Sequence, residues 1–99
     1  IRDTDRSRGL GDVYKRQEPQ APVHVLVIPK EHICCADAVN EENVGNIAHI
    51  FTKIPEITKS LGLTNGYRIV NNCGEDGCQS VKHMHFHILG GKKLNGTMA

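Results

Sequence analysis

Residues 82–89, Lys-His-Met-His-Phe-His-Ile-Leu, alternate imidazoles with apolar side chains. A strand accommodates that pattern, because its side-chain period of two puts His83, His85 and His87 on one face and Met84, Phe86 and Ile88 on the other. A helix would scatter both sets around its circumference. The apolar face has to be covered, so the chain must supply a second layer. The polar face is hard to explain as packing. Each buried ring nitrogen needs a partner, and neighbouring rings disfavour one another's charging. The row is therefore read as functional.

The covering layer is legible upstream. Val44, Ile47, Ile50, Phe51, Ile54, Ile57 and Leu61 recur at spacings of three and four, the stripe of an amphipathic helix expected over about residues 40–61. Asn40 suits its N-cap, Glu41 and Glu42 bring negative charge to its first turn, and Gly62 stands where a C-terminal cap belongs. Pro55 lacks a backbone donor and should kink or split the helix near residues 51–55. Residues 22–29 read as a strand, with His24, Leu26 and Ile28 on one face and Val23, Val25 and Val27 on the other. Residues 66–71 read as a second strand, 72–77 as a turn-rich link and 82–89 as a third strand. A polar tail follows over residues 92–99, with Lys92 and Lys93 solvated. The sum is an α+β fold, an antiparallel sheet with one main helix.

At 99 residues there is room for one domain. Twelve Lys plus Arg against eleven Asp plus Glu leave a net charge of +1, without the basic excess of a nucleic-acid binder. No apolar run reaches the ~18 residues of a membrane helix. No charged-then-apolar leader heads the sequence, so no membrane partner and a cytoplasmic setting are expected. Cys34, Cys35, Cys73 and Cys78 include no C-x-x-C pair. Their count allows a disulfide framework, but a reducing compartment favours free thiols. So small a core is marginal alone, which makes association with a second copy an expectation.

Residues 1–17, Ile-Arg-Asp-Thr-Asp-Arg-Ser-Arg-Gly-Leu-Gly-Asp-Val-Tyr-Lys-Arg-Gln, differ in kind. They are charge-rich, show no apolar periodicity and resemble translated adapter or vector sequence. They are expected to be a non-native leader, with the domain proper over residues 18–99; the alternative is a natural basic arm.

Two chemistries fit the histidine row. Alternating imidazoles can ligate zinc, with Cys73, Cys78, Glu75 and Asp76 nearby as further ligands. Alternatively, one neutral imidazole attacks phosphorus to form a covalent intermediate, while its neighbours bind phosphate oxygens and move a proton.

Residues 78–91, Cys-Gln-Ser-Val-Lys-His-Met-His-Phe-His-Ile-Leu-Gly-Gly, resemble the signature of the histidine triad (HIT) hydrolases. Gln-Ser-Val before the triad and Leu-Gly-Gly after it look like the Hint branch of purine nucleoside phosphoramidases; the Fhit branch, which cleaves dinucleoside polyphosphates, more often ends this strand with Pro-Arg. Residues 20–33 and 62–74 resemble further blocks of the same family, so the likeness spans about residues 18–99. It implies roles. His85 would be the nucleophile, and His87 would contact the phosphate and assist the leaving group. His83 and His24 would orient His85 through a buried polar relay. Ser80 would hydrogen-bond the phosphate or the departing amine. Asn72 and the backbone N–H groups near Cys78 and Gln79 would hold phosphate oxygens. The implied ligands are purine nucleoside monophosphate derivatives and the implied assembly is a homodimer. The implied mechanism needs no cofactor, zinc being the alternative.

Two departures from the family pattern stand out. Arg16 occupies the place of the family's ribose-binding Asp, so the usual first block is missing if residues 1–17 are foreign. Cys78 stands where the family commonly has Gly, and a positive φ there would be strained. The expected activity is hydrolysis of nucleoside 5′-phosphoramidates through a nucleotidyl-histidine intermediate. The alternatives are a zinc- or nucleotide-binding protein without turnover and a dinucleoside polyphosphate hydrolase. His32 and His49 are expected at the surface.

Overall fold

The computed structural model describes residues 4–7, 11–15 and 21–97. Five strands, β1 (Thr4–Ser7), β2 (Gly11–Lys15), β3 (Val23–Ile28), β4 (Arg68–Val70) and β5 (Phe86–Gly90), form one sheet in the order β1-β2-β3-β5-β4. Every pairing is antiparallel. The one α-helix among the described residues, α1 (Val44–Ser60), lies between β3 and β4 after a short 3-10 turn at Ala36–Ala38 and covers one face. The α+β class and the one-helix arrangement are as the sequence predicts.

The core lies between that face and α1. Val25, Val27, Phe86 and Ile88 meet Ile50, Ile54 and Ile57, and Ile33, Leu63 and Met84 close its edges. These are the alternate positions of β3 and β5 that the period of two selects. Opposite residues of an antiparallel ladder share a face, so Val25 stands beside Ile88 and Leu26 beside His87.

A reciprocally bonded turn leads into the helix. Asn40 Oδ1 accepts from the N–H groups of Glu42 and Asn43, and Asn43 Oδ1 accepts from the N–H of Asn40. Asn40 is therefore not the N-cap expected of it: its bonds hold a lead-in turn over residues 41–43, the regular helix starts at Val44 with Asn43 as its N-cap, and Glu41 and Glu42 precede its first turn. At the other end Gly62 has φ +76°, its N–H bonds to the Lys59 carbonyl, and the Leu63 N–H bonds to the Thr58 carbonyl. Those two bonds define a Schellman stop.

Three further expectations need correction. Pro55 does not split α1, which runs unbroken from Val44 to Ser60. Phe51, Thr52, Pro55 and Glu56 are exposed, so water can satisfy the carbonyl that Pro55 leaves without a donor. The last strand starts at Phe86, not residue 82, because the chain around His83 and His85 is tied to the segment after β3 and leaves the ladder. Its alternation of buried and half-buried residues nevertheless persists from His83 to Gly90. Finally, residues 4–7 and 11–15 pair as a hairpin that joins β3, strands no apolar pattern had announced. Main-chain pairing needs no particular side chain, which is why periodicity missed them.

Candidate active site

The histidines gather where β3 and β5 run side by side. His24 and His87 lie on the face away from α1, one diagonal step apart. His24 is buried, and its Nε2 lies 2.9 Å from Nδ1 of His87. The His85 and His87 ring centroids are 5.1 Å apart, as are those of His24 and His87. His83, His85 and His87 are all half-buried.

One contact fixes the chemistry of His85. Its Nδ1 lies 2.8 Å from the backbone carbonyl of His83. A carbonyl only accepts, so Nδ1 carries the proton and the neutral ring presents an unprotonated Nε2. The carbonyl of His85 in turn accepts from Asn71 Nδ2 at 2.8 Å.

The relay expected to link His24 and His83 to His85 is arranged differently. His24 bonds His87, not His85. His83 acts on His85 through its main-chain oxygen, while its own Nε2 donates to the Pro29 carbonyl at 3.2 Å and its ring packs 4.9 Å from that of His32. The strand pleat explains this: side chains two residues apart stand side by side, and the intervening backbone reaches across to them.

The loop over residues 73–81 forms the rim. Gln79 holds it together: its Oε1 accepts from Gly74 N–H at 2.9 Å, and its Nε2 donates to the carbonyls of Cys34 at 2.7 Å and Val81 at 3.0 Å. The Cys78 N–H bonds to the Glu75 carbonyl and the Gln79 N–H to the Gly74 carbonyl. These two amides, expected on phosphate oxygens, are engaged in closing the turn. Ser80 is exposed beside them, and Asn72 is half-buried without a hydrogen bond to the histidine row. Asn71, which sequence reasoning passed over, is the asparagine that touches the site. Knowing that Val70 pairs with His87 would have singled it out, but cross-strand register is not written in either segment alone. Removing Gln79's three bonds by Gln79→Ala is expected to cost about 2 kcal/mol. Chemical denaturation checks this through a lowered midpoint.

Cys78 adopts φ +60°, the strained conformation its position threatened. Cys78→Gly is therefore expected to raise stability by up to about 1 kcal/mol, read as a higher Tm. Its neighbour Gly77 tolerates no such exchange in reverse, since a Cβ there would lie 2.5 Å from the Cys73 carbonyl oxygen. All four cysteines are free thiols, in line with expectation. His32 is exposed as expected, whereas His49 is half-buried and its Nε2 has neither solvent nor a hydrogen-bond partner.

Among the described residues no three His, Cys, Asp or Glu side chains converge as metal ligands, so the zinc alternative finds no ligand set there. No helix among them is long and apolar enough to cross a membrane.

Comparison with known proteins agrees with this architecture. A HIT-like protein of Rickettsia prowazekii is 46% identical over 87 residues, covering 86% of this chain and 72% of the relative. The structure of a HIT family hydrolase from Legionella pneumophila superposes with a TM-score of 0.89 at 32% identity, over 97% of this chain and 87% of that one. A histidine triad nucleotide-binding protein from Candida albicans gives a TM-score of 0.73 at 27% identity, over 86% of this chain and 62% of that one. The HIT domain model matches residues 12–94, which hold the histidine row, the strands that carry it and the helix that covers them; the chain belongs to the HIT domain family.

Proposed function

We propose that the protein hydrolyses nucleoside 5′-phosphoramidates through a nucleotidyl intermediate on His85. The observation that carries this reading is the bond from His85 Nδ1 to the His83 carbonyl, which leaves the Nε2 lone pair available for attack. Nε2 bonds to phosphorus as the P–N bond to the departing amine breaks. His87 supplies the proton that the amine requires. In its protonated form His87 donates Nδ1–H to His24 Nε2 and offers Nε2–H to the amine, and once that proton is given up the neutral ring keeps Nε2 as the base for water. Water then attacks phosphorus, His87 takes back a proton, and the bond to His85 breaks to release the nucleoside monophosphate. Ser80 is exposed on the loop before the histidine row, where its hydroxyl would bond a phosphate oxygen or the departing amine, and Asn72 would hold a phosphate oxygen. Cys78 and Gln79 shape the rim, since their amides already have partners. A hydrolase and a nucleotide-binding protein among the structural relatives support the general class.

The Hint-like branch, a purine preference and a cytoplasmic setting belong to the same proposal. So does a homodimer, supported by the edge position of β4 and by Val44 and Phe51, exposed on α1. Residues 1–17 are proposed to be a foreign leader standing in for the family's first block. Replacing them by a family-like block is then expected to tighten nucleoside binding. The activity test measures AMP release from adenosine 5′-phosphoramidate and from a diadenosine polyphosphate in the presence of chelator. Faster release from the phosphoramidate is expected, whereas folded protein that releases AMP from neither overturns the reading.

A further inference from the structure

Two asparagines of the chain precede a glycine, in Asn65-Gly66 and Asn95-Gly96. A glycine at that place leaves its amide nitrogen unshielded by any side chain, so the nitrogen can attack the side-chain carbon of the asparagine before it. The two pairs are alike in sequence and differ in their surroundings.

Asn65-Gly66 is held. Gly66 stands two residues before β4 at φ +102°, and its carbonyl oxygen packs against β5, 3.5 Å from where a Cβ on Gly90 would lie. The Asn65 side chain makes no hydrogen bond among the described residues.

Asn95-Gly96 is open. Asn95, Gly96 and Thr97 are exposed, and nothing lies within 4 Å of a Cβ placed on Gly96. Asn95 Oδ1 accepts from the Thr97 N–H at 3.0 Å and from the Thr97 hydroxyl at 3.2 Å, which turns the side chain back over the Gly96 peptide. The main-chain carbonyl of Asn95 accepts from Arg68 Nη2 at 2.6 Å. Both carbonyl oxygens of this one residue therefore face donors.

We infer that Asn95 is a self-modification site, which loses ammonia to form a cyclic imide and is opened to isoaspartate under the direction of Arg68. First, Gly96 N bonds to Asn95 Cγ and the Cγ–Nδ2 bond breaks, so that Nδ2 leaves as ammonia with the Gly96 amide proton. Negative charge develops on Oδ1, where the two Thr97 donors meet it. Water then adds to the main-chain carbon of Asn95, and the bond from that carbon to Gly96 N breaks as the nitrogen regains a proton. Charge now develops on the oxygen that Arg68 holds. That carbon ends as a free carboxylate, so a bond to a neutral carbonyl becomes a charge-assisted pair. The net charge of +1 falls by one unit. Neither step involves the histidine row.

Incubation of the full chain at mildly alkaline pH, followed by peptide mass mapping, tests this. In the folded protein Asn95 is expected to convert about tenfold faster than Asn65, the combined effect of two modest hydrogen bonds on one barrier. In urea the two rates should become equal. Isoaspartate, scored by enzymatic methylation of its carboxylate, should exceed aspartate at Asn95, and its share should fall both in urea and in Arg68→Gln. Thr97→Ala, which removes one donor at an exposed position, should slow loss of ammonia and leave that share unchanged. Equal rates at Asn65 and Asn95 in the folded protein, or a difference between them that persists in urea, overturns the inference. An isoaspartate share that is the same folded, in urea and in Arg68→Gln overturns the role of Arg68.

Discussion

His85→Ala is expected to lower kcat/KM on adenosine 5′-phosphoramidate by on the order of ten-thousandfold while leaving the protein folded. The size follows from the role proposed for the residue. A nucleophile replaced by a methyl group takes the covalent route with it, and what survives is positioning of water by the remaining groups. His85 is half-buried and stands outside the apolar cluster, so its removal forfeits one hydrogen bond, worth about 1 kcal/mol. His87→Ala should cost less, on the order of a hundredfold, because proton transfer can be taken over in part by solvent. The ranking is the informative quantity. Equal losses would point to the two rings acting only as a joint phosphate clamp, and a His85→Ala enzyme that retained most of its rate would remove His85 from the chemistry. Unchanged melting of each variant, followed by circular dichroism, excludes unfolding as the cause.

Ile88→Ala should have the largest effect on stability. Ile88 is 0% exposed, lies on the strand between β3 and β4, and stands opposite Val25 on one side and Ile69 on the other. Across the layer the core continues into Ile50 and Ile54 of α1. Truncation there leaves a cavity bounded by sheet on two sides, where collapse is difficult, so a loss of about 4 kcal/mol is expected. A domain has only about 5–15 kcal/mol in total. For a chain this small the melting midpoint should fall by roughly 15–25 °C. Phe51→Ala serves as the contrast: Phe51 is 48% exposed and touches the core mainly through an edge contact with Phe86, so its loss should be much smaller. Comparable losses at the two positions would contradict the placement of the core.

What the sequence revealed was whatever a local period encodes. Period two placed Val25, Val27, Phe86 and Ile88 inward and the histidines outward, and period 3.6 placed Ile50, Ile54 and Ile57 beneath them. The terminal glycine of α1 was readable for the same reason, since Gly62 needs only its own φ. Whatever depends on two distant segments was not readable. The His24–His87 bond joins residues 63 apart, and Gln79 reaches back 45 residues to Cys34. Asn71 was overlooked in favour of Asn72 because its partner, the His85 carbonyl, is set by register between strands. The hairpin of β1 and β2 was invisible because its pairing lies in the main chain.

The central claim is that His85 becomes covalently bonded to the nucleotide. Its most direct test is to mix the protein with adenosine 5′-phosphoramidate, quench in alkali within the first turnover and digest for mass spectrometry. The account predicts one adenylyl group on the peptide spanning the histidine row, assigned to His85 by fragmentation and absent in His85→Ala. AMP release at full rate with no adduct on any histidine, or with the adduct on His87, would contradict it.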